Sequence, residues 1–235
     1  MIVSSGGTSY GLLHQIVAGI AALVLAILGI WMAAKQPGPI AWTVLIGVVV
    51  QGGLGAFPNS IAAAIIHALL GQILFAVSMA AMIATGASWY SEPDRAEDHG
   101  WPSLRSLGTI TPILVLAQVA MGAAFRHKEM GILPHLFGAM VLVLVILCVC
   151  IFVMQQFPSH KVLRPAANHL MAIAFTQIFL GIAAFTVRTM NNISSGVLVG
   201  VTAAHATVGA MTLAAALVLT MHIRRNVYKK ADDEE

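Results

Sequence analysis

Seven uncharged and strongly apolar stretches follow one another along the chain, separated by short polar segments. They lie at residues 10–33, 40–57, 60–87, 107–125, 134–155, 166–187 and 197–221. Each reaches the roughly 18 residues that an α-helix needs to cross the hydrocarbon core of a bilayer. A spanning strand needs only about 10 residues of alternating polarity, a pattern that this chain lacks. The sequence therefore predicts an all-α, polytopic membrane bundle of seven transmembrane helices.

Composition agrees with a membrane protein. Of the 235 residues, 59% are hydrophobic and 9% are charged, whereas a soluble domain carries roughly a quarter charged residues. The net charge is +3, but the basic residues are scattered over short loops and the C-terminal tail, which excludes a nucleic-acid partner. No basic segment precedes the first apolar stretch, so we expect a permanent helix there and not a removable signal peptide. The expected partner is the lipid bilayer.

Basic residues are unevenly divided between the two ends of the predicted helices. Three lie on one side, namely Arg126, Lys128 and Arg188, and nine on the other, namely Lys35, Arg95, Arg105, Lys161, Arg164, Arg224, Arg225, Lys229 and Lys230. Cytoplasmic loops of membrane proteins carry the excess of Lys and Arg. We therefore expect a cytoplasmic C-terminus and an external N-terminus, in the bacterial cytoplasmic (inner) membrane.

A motif shared by three helices indicates an internal repeat. Gln-x-x-x-Gly begins at Gln51, Gln118 and Gln177, and each copy precedes a helix with a histidine in its outer part. The sequence predicts tandem hairpins that lack the first helix; chance recurrence in Gly- and Ala-rich helices is the alternative. The polar connector at 88–106 divides the chain into an N-terminal half at 1–95, with helices 1–3, and a C-terminal half at 96–235, with helices 4–7 and a short cytoplasmic tail.

Four histidines are predicted at one depth, about 2 to 12 Å below the outer helix ends: His14, His67, His135 and His205. An ionisable side chain in a membrane helix is costly unless it faces the bundle interior and finds a partner. Histidine pairs on facing helices, with no intramembrane Asp or Glu, fit axial ligation of heme iron better than a zinc or di-iron site. The alternative for each histidine is a hydrogen bond to the next helix.

Small residues follow these histidines, among them Gly19, Gly71, Gly138 and Gly209. They would let a flat ligand lie against the helix backbone, or would serve close helix packing. The outer basic residues Arg126 and Arg188 are candidates for binding heme propionates, and the alternative is a solvated arginine. The remaining histidines are assigned to the two membrane interfaces: His127 to the outer one, and His99, His160, His169 and His222 to the inner one.

In their order, these motifs resemble the heme A synthase family. The resemblance spans nearly all of residues 10–221, lacks the family's first helix, and is carried by Leu12–Gly19, Val50–Gly55, His67–Gly71, Gln118–His127, Leu133–Gly138, Gln177–Gly181 and Ala204–His205. It implies two four-helix halves, each with a heme-binding histidine pair. His14 and His67 would ligate one heme, and His135 and His205 the other. In the family, one heme is b-type and relays electrons, while heme O is oxidised at a ring methyl to heme A.

The chain departs from the family at a position that bears on catalysis. Three residues before its first-half histidine the family has a glutamate, where this sequence has Gly11; the equivalent residue before His135 is Ile132. The family's outer-loop cysteine pair is also missing. Methyl oxidation needs a route for protons, a natural task for a carboxylate beside the heme. The catalytic residues are therefore unknown, and whether the protein is an enzyme stays open.

Three interpretations remain. The first is a heme-binding membrane oxidoreductase of heme A synthase type. The second is a non-catalytic b-type cytochrome subunit that transfers electrons between a quinol and other membrane redox subunits, since iron with two axial histidines has no open position for oxygen. The third is a heme-free assembly or scaffold subunit. Heme of b type is the expected cofactor, with heme O or heme A as alternatives.

Overall fold

A computed structural model describes residues 5–35, 38–57 and 60–229. Their regular secondary structure is helical apart from two three-residue strands, so the predicted all-α fold is confirmed. The helices are α1 (Ser5–Lys35), α2 (Pro39–Gly55), α3 (Ile61–Ala84), α4 (Ala87–Tyr90), α5 (Leu104–Arg126), α6 (Ile132–Gln156), α7 (Leu163–Thr189) and α8 (Ser195–Asn226), and the strands are β1 (Ala96–Asp98) and β2 (Val227–Lys229).

Six of the described helices are long and apolar enough to cross a bilayer, namely α1, α3, α5, α6, α7 and α8. Many of their large apolar side chains face outward: Ile20 of α1 is 61% exposed, Leu144 of α6 is 67% exposed and Phe179 of α7 is 70% exposed. Such a surface requires lipid around it. The chain is therefore an integral membrane protein. Helix α2 is equally apolar but has 17 residues.

Four of the described helices begin at a residue that suits a helix start, either a serine that caps the first turn or a proline. Ser60, Ser103 and Ser194 each accept a hydrogen bond from the amide three residues later, and Pro39 opens α2. Such residues are preferred at helix N-termini because the first four amides have no acceptor within the helix.

A histidine that the sequence analysis had left at the inner surface caps the start of helix α7 from the preceding connector. His160 Nδ1 accepts from the amides of Val162 and Leu163, each at 3.2 Å. Its Nε2 donates to the Asp94 carbonyl oxygen at 3.0 Å. The residue is buried, so its role is structural and not that of a solvated interface residue.

Helices α5 to α8 form a closed four-helix ring. In this ring α5 packs on α6, α6 on α7, α7 on α8, and α8 on α5, which places α6 and α8 diagonally across the centre. Helix α3 packs against α8 and α5, α2 packs against α3, and α1 against α2. The largest buried side chains lie in the ring, including Ile146, Leu163, Leu170, Leu219 and Ile223. The N-terminal helices thus form an open row attached through α3.

The polar connector between α3 and α5 contains secondary structure that the sequence analysis did not predict. Helix α4 lies in it, and β1 pairs in parallel with β2, with Ala96 opposite Val227. Because β2 follows α8, this pairing joins the connector to the end of the chain's last described helix. The division of the chain at residue 95 stays a prediction.

Asp98, at the end of β1, is hydrogen-bonded to the segment that leads into α5. Its buried carboxylate accepts hydrogen bonds from the amides of Leu104 at 2.7 Å and Gly100 at 3.0 Å. Hydrogen bonds to an ionised group contribute more than neutral ones. We expect Asp98→Ala to lower the free energy of unfolding by about 2 kcal/mol, measured by thermal unfolding in detergent. The exposed Glu92→Ala is the control, and an equal loss in both variants would contradict this role.

Candidate functional site

The four histidines predicted at one depth meet in two pairs. The ring centroids of His14, on α1, and His67, on α3, are 6.3 Å apart, with the ring planes at 75°. Those of His135, on α6, and His205, on α8, are 6.4 Å apart at 84°. These are the pairs that the family resemblance implied. In the C-terminal half, the pair lies across the diagonal of the four-helix ring.

The spacing within each pair suits two imidazoles on opposite sides of one metal ion. A metal–nitrogen bond of about 2 Å and about 1.1 Å from that nitrogen to the ring centre would put two trans rings about 6.2 Å apart. Two axial rings can rotate about their shared axis, so steep angles between their planes are compatible with ligation. The spacing of both pairs therefore matches that of two axial imidazoles on one iron ion.

In the N-terminal pair, Gln51 of α2 sets the orientation of one ring. His67 Nδ1 donates to the Gln51 carbonyl oxygen at 3.1 Å. The Gln51 side-chain nitrogen donates to the His67 carbonyl oxygen at 3.1 Å and lies 3.3 Å from His67 Nε2. With its proton on Nδ1, the ring accepts the Gln51 amide at Nε2, so a metal at Nε2 would have to replace that hydrogen bond. Its partner ring, His14, belongs to an exposed residue.

The corresponding glutamine of the C-terminal pair contacts the ring differently. The Gln118 side-chain nitrogen donates to the His135 carbonyl oxygen at 2.7 Å and lies 3.0 Å from His135 Nδ1. Gln118 Oε1 and His205 Nδ1 are buried without hydrogen-bond partners among the described residues. Because the Gln118 amide nitrogen is a donor, His135 Nδ1 accepts from it in this arrangement.

The glycine of the Gln-x-x-x-Gly motif allows each histidine ring to lie close to the neighbouring helix. A Cβ atom at the motif glycine would meet Cε1 of the histidine of the following helix. The pairs are Gly55 with His67 at 3.4 Å, Gly122 with His135 at 3.0 Å, and Gly181 with His205 at 3.1 Å. At 3.0 to 3.1 Å a side chain would displace the ring, so these glycines are part of the site.

The glycine after each of these three histidines faces the motif glutamine in return. A Cβ atom built at Gly71 would lie 3.0 Å from the Gln51 side chain, and one built at Gly209 would lie 3.2 Å from the Gln177 side chain. At Gly138 the nearest atom would be Met121 Cε, followed by Gln118 Oε1 at 2.5 Å. These glycines therefore serve helix packing, the second of the two roles that the sequence analysis considered. A Cβ atom built at Gly19 would have no neighbouring side chain or helix within 4 Å.

The two arginines predicted on the outer side lie at the ends of the two ring helices that flank the His135–His205 gap. Arg126 ends α5, and Arg188 lies in the last turn of α7; both are exposed. The Arg188 guanidinium carbon is 4.9 Å from the centroid of the Phe125 ring, a cation–π contact that joins the two helix ends. Helix α6 begins just after α5, so this is the end of the bundle that holds His135.

The other described histidines lie elsewhere. His127 follows α5. His169 and His222 line a cavity of about 330 Å³ at the opposite end of the bundle, together with Lys161. Over the described ranges, no three His, Cys, Asp or Glu side chains are grouped to hold a metal ion. The two histidine pairs therefore stand without a carboxylate, which suits axial ligands better than a zinc or di-iron site.

Comparison with known proteins adds no name to this site. No family model, curated protein or solved structure matches the chain. The sequence analysis identified the four histidines but missed the part played by Gln51 and Gln118, which hold two of the rings. Their signal was present in the motif, because each glutamine precedes its histidine by 16 or 17 residues across one hairpin.

Proposed function

We propose that the protein is a heme-binding integral membrane oxidoreductase of heme A synthase type. One heme lies between His14 and His67 and a second between His135 and His205. The observation that carries this proposal is the spacing of the ring centroids, 6.3 and 6.4 Å, which occurs twice and matches two imidazoles on one iron.

The proposed topology has seven spans, with α2 as the shortest, arranged as three tandem hairpins that follow α1. The same Gly–His and Gln–Gly contacts in three hairpins support the repeat. The N-terminus lies outside and the C-terminus in the cytoplasm of the bacterial inner membrane, as the distribution of basic residues favours.

Each residue of the proposed sites has a defined task. The four histidines bind the iron axially, Gln51 and Gln118 orient rings, and the motif glycines allow the rings to lie close to the neighbouring helix. Arg126 and Arg188 bind propionates at the outer end of the C-terminal site. Bound heme supplies reversible one-electron chemistry, tuned by its axial ligands and burial. The C-terminal site has helices on all four sides, whereas the N-terminal site is bounded by three.

The second candidate is a b-type cytochrome subunit that transfers electrons from a quinol to other membrane redox subunits. The observation that favours it is the absence of a carboxylate from both histidine pairs among the described residues. Gly11 and Ile132 stand where the family's glutamate or its counterpart is expected. Without that group, neither pair has an evident residue to move a proton during methyl oxidation.

One experiment tests the proposal and separates the two candidates. The protein is produced in a host that also makes heme O, purified, and examined by a reduced-minus-oxidised spectrum and by identification of the extracted heme. We expect stoichiometric heme with the spectrum of iron held by two histidines. Heme A would support the synthase, and heme B alone at two per chain would support electron transfer. Protein without heme would contradict both and leave the scaffold interpretation.

A further inference from the structure

A groove between α5 and α8, at the end of the bundle opposite the histidine pairs, has the polarity of a lipid-binding site. It has a volume of about 400 Å³ and is lined by Arg105, Ser106, Thr109, Ile110, Ile113 and Arg224. The volume equals roughly a dozen water molecules, which is room for a phosphodiester with its glycerol. The groove is separate from the proposed heme sites.

Two guanidinium groups line the mouth of this groove. Arg105 belongs to the first turn of α5 and Arg224 to the last turn of α8, and both are exposed. Arg224 Nη2 donates to Thr109 Oγ1 at 3.2 Å, and Arg105 Nη1 donates to the Val227 carbonyl oxygen at 3.1 Å. Neither forms a salt bridge within the described ranges. Guanidinium groups with donors to spare bind phosphate oxygens well.

The carboxylate nearest in sequence to Arg105 in the described connector is engaged elsewhere. Asp98 accepts from the amides of Leu104 and Gly100 and so does not neutralise the arginines through a direct ion pair. The mouth of the groove is therefore electropositive.

The floor of the groove is apolar. Ile110 and Ile113 follow Arg105 by five and eight residues along α5, about 7 to 12 Å deeper into the bilayer. Ile110 is 45% exposed and Ile113 58% exposed. A ligand with an anionic head and an acyl chain matches this order of charge, hydroxyl groups and apolar surface.

We propose that this groove binds the headgroup phosphate of an anionic phospholipid, with one acyl chain along Ile110 and Ile113. In the proposed topology the groove faces the cytoplasmic leaflet, where anionic lipids attract basic residues near the surface. The lipid would bridge α5 and α8 where the four-helix ring closes.

The test counts the lipids retained by the full-length protein in mixed micelles of phosphatidylglycerol and phosphatidylcholine, using native mass spectrometry. We expect Arg224→Gln to lower retention of phosphatidylglycerol about fivefold and to leave phosphatidylcholine unchanged. The control is Arg164→Gln, since Arg164 is also exposed, lies at the same end and donates to a backbone carbonyl, that of Pro158. Equal retention by wild type and Arg224→Gln would overturn the proposal.

Further arms distinguish the source of the phosphate and the occupant of the groove. Ile113→Ser should weaken retention of phosphatidylglycerol while inorganic phosphate competes poorly; full competition by inorganic phosphate at millimolar concentration would assign the groove to a free anion. The Ile113→Ser arm also stands if Arg224→Gln fails to fold. Deletion of the acidic tail at 230–235 should leave retention unchanged. A several-fold rise would assign the groove to that tail and overturn the proposal.

Discussion

Replacing His135 or His205 by alanine is expected to remove one heme component from the optical spectrum, and replacing His14 or His67 to remove the other. The reason is that the rings meet only in these two combinations, at 6.4 and 6.3 Å, on different sets of helices. Each substitution should lower the heme content from about two to about one per chain, because a single remaining histidine does not hold iron with two axial ligands. Reduced-minus-oxidised spectra and heme quantification of the purified variants provide the measurement.

His169→Ala is the matched control for these variants. His169 is also a helix histidine, but it is exposed and lies at the opposite end of the bundle. Its replacement should leave both spectral components and the heme content unchanged. Loss of the same single component in all four site variants would contradict the two-site arrangement, and an equal loss in His169→Ala would show that heme content reports only folding.

Gly122→Ala and Gly181→Ala are expected to weaken the C-terminal heme site without removing a ligand. The added Cβ atoms would lie 3.0 and 3.1 Å from Cε1 of His135 and His205, so the rings must shift by a few tenths of an ångström. A metal site tolerates deviations of only about 0.2 Å in its ligand distances. We expect heme retention at that site to fall about tenfold or more, measured by transfer of heme to excess apomyoglobin.

Gly200→Ala is the control for this series. Gly200 lies on α8 with His205, but a Cβ atom there would have no neighbour within 4 Å. Gly55→Ala should have a smaller effect on the N-terminal site, because its Cβ would lie 3.4 Å from His67 Cε1, an ordinary contact distance. Similar heme retention in Gly200→Ala and Gly181→Ala would refute the steric explanation.

The glycines illustrate what a sequence pattern conveys and what it leaves open. The sequence marked two positions where a small residue matters: Gly122, in the Gln-x-x-x-Gly motif, and Gly138, three residues after His135. It did not show that Gly122 receives a histidine ring while Gly138 faces Gln118 and Met121. That distinction depends on how far each helix is rotated about its axis, a rotation set by packing between helices and not by the spacing within one helix.

The polar connector shows the same limit from the other direction. Without apolar periodicity, residues 88–106 gave no signal for β1 or for the buried carboxylate of Asp98. Both depend on the chain after α8, since β1 pairs with β2. Likewise, His160 lies in the polar connector between α6 and α7, where the sequence predicted a surface residue, but it accepts hydrogen bonds from the amides of Val162 and Leu163 at the start of α7.

The sequence by itself determined the apolar helices and placed a histidine near one end of four of them, because hydropathy and the rise per residue of a helix are local properties. The tertiary structure decided that the histidine rings meet at 6.3 and 6.4 Å, that glutamines orient two of them, and that only the C-terminal pair lies within a closed ring of helices. These features depend on contacts between helices far apart in the chain, and the physical reason is that such contacts are set by shape complementarity between whole helix surfaces.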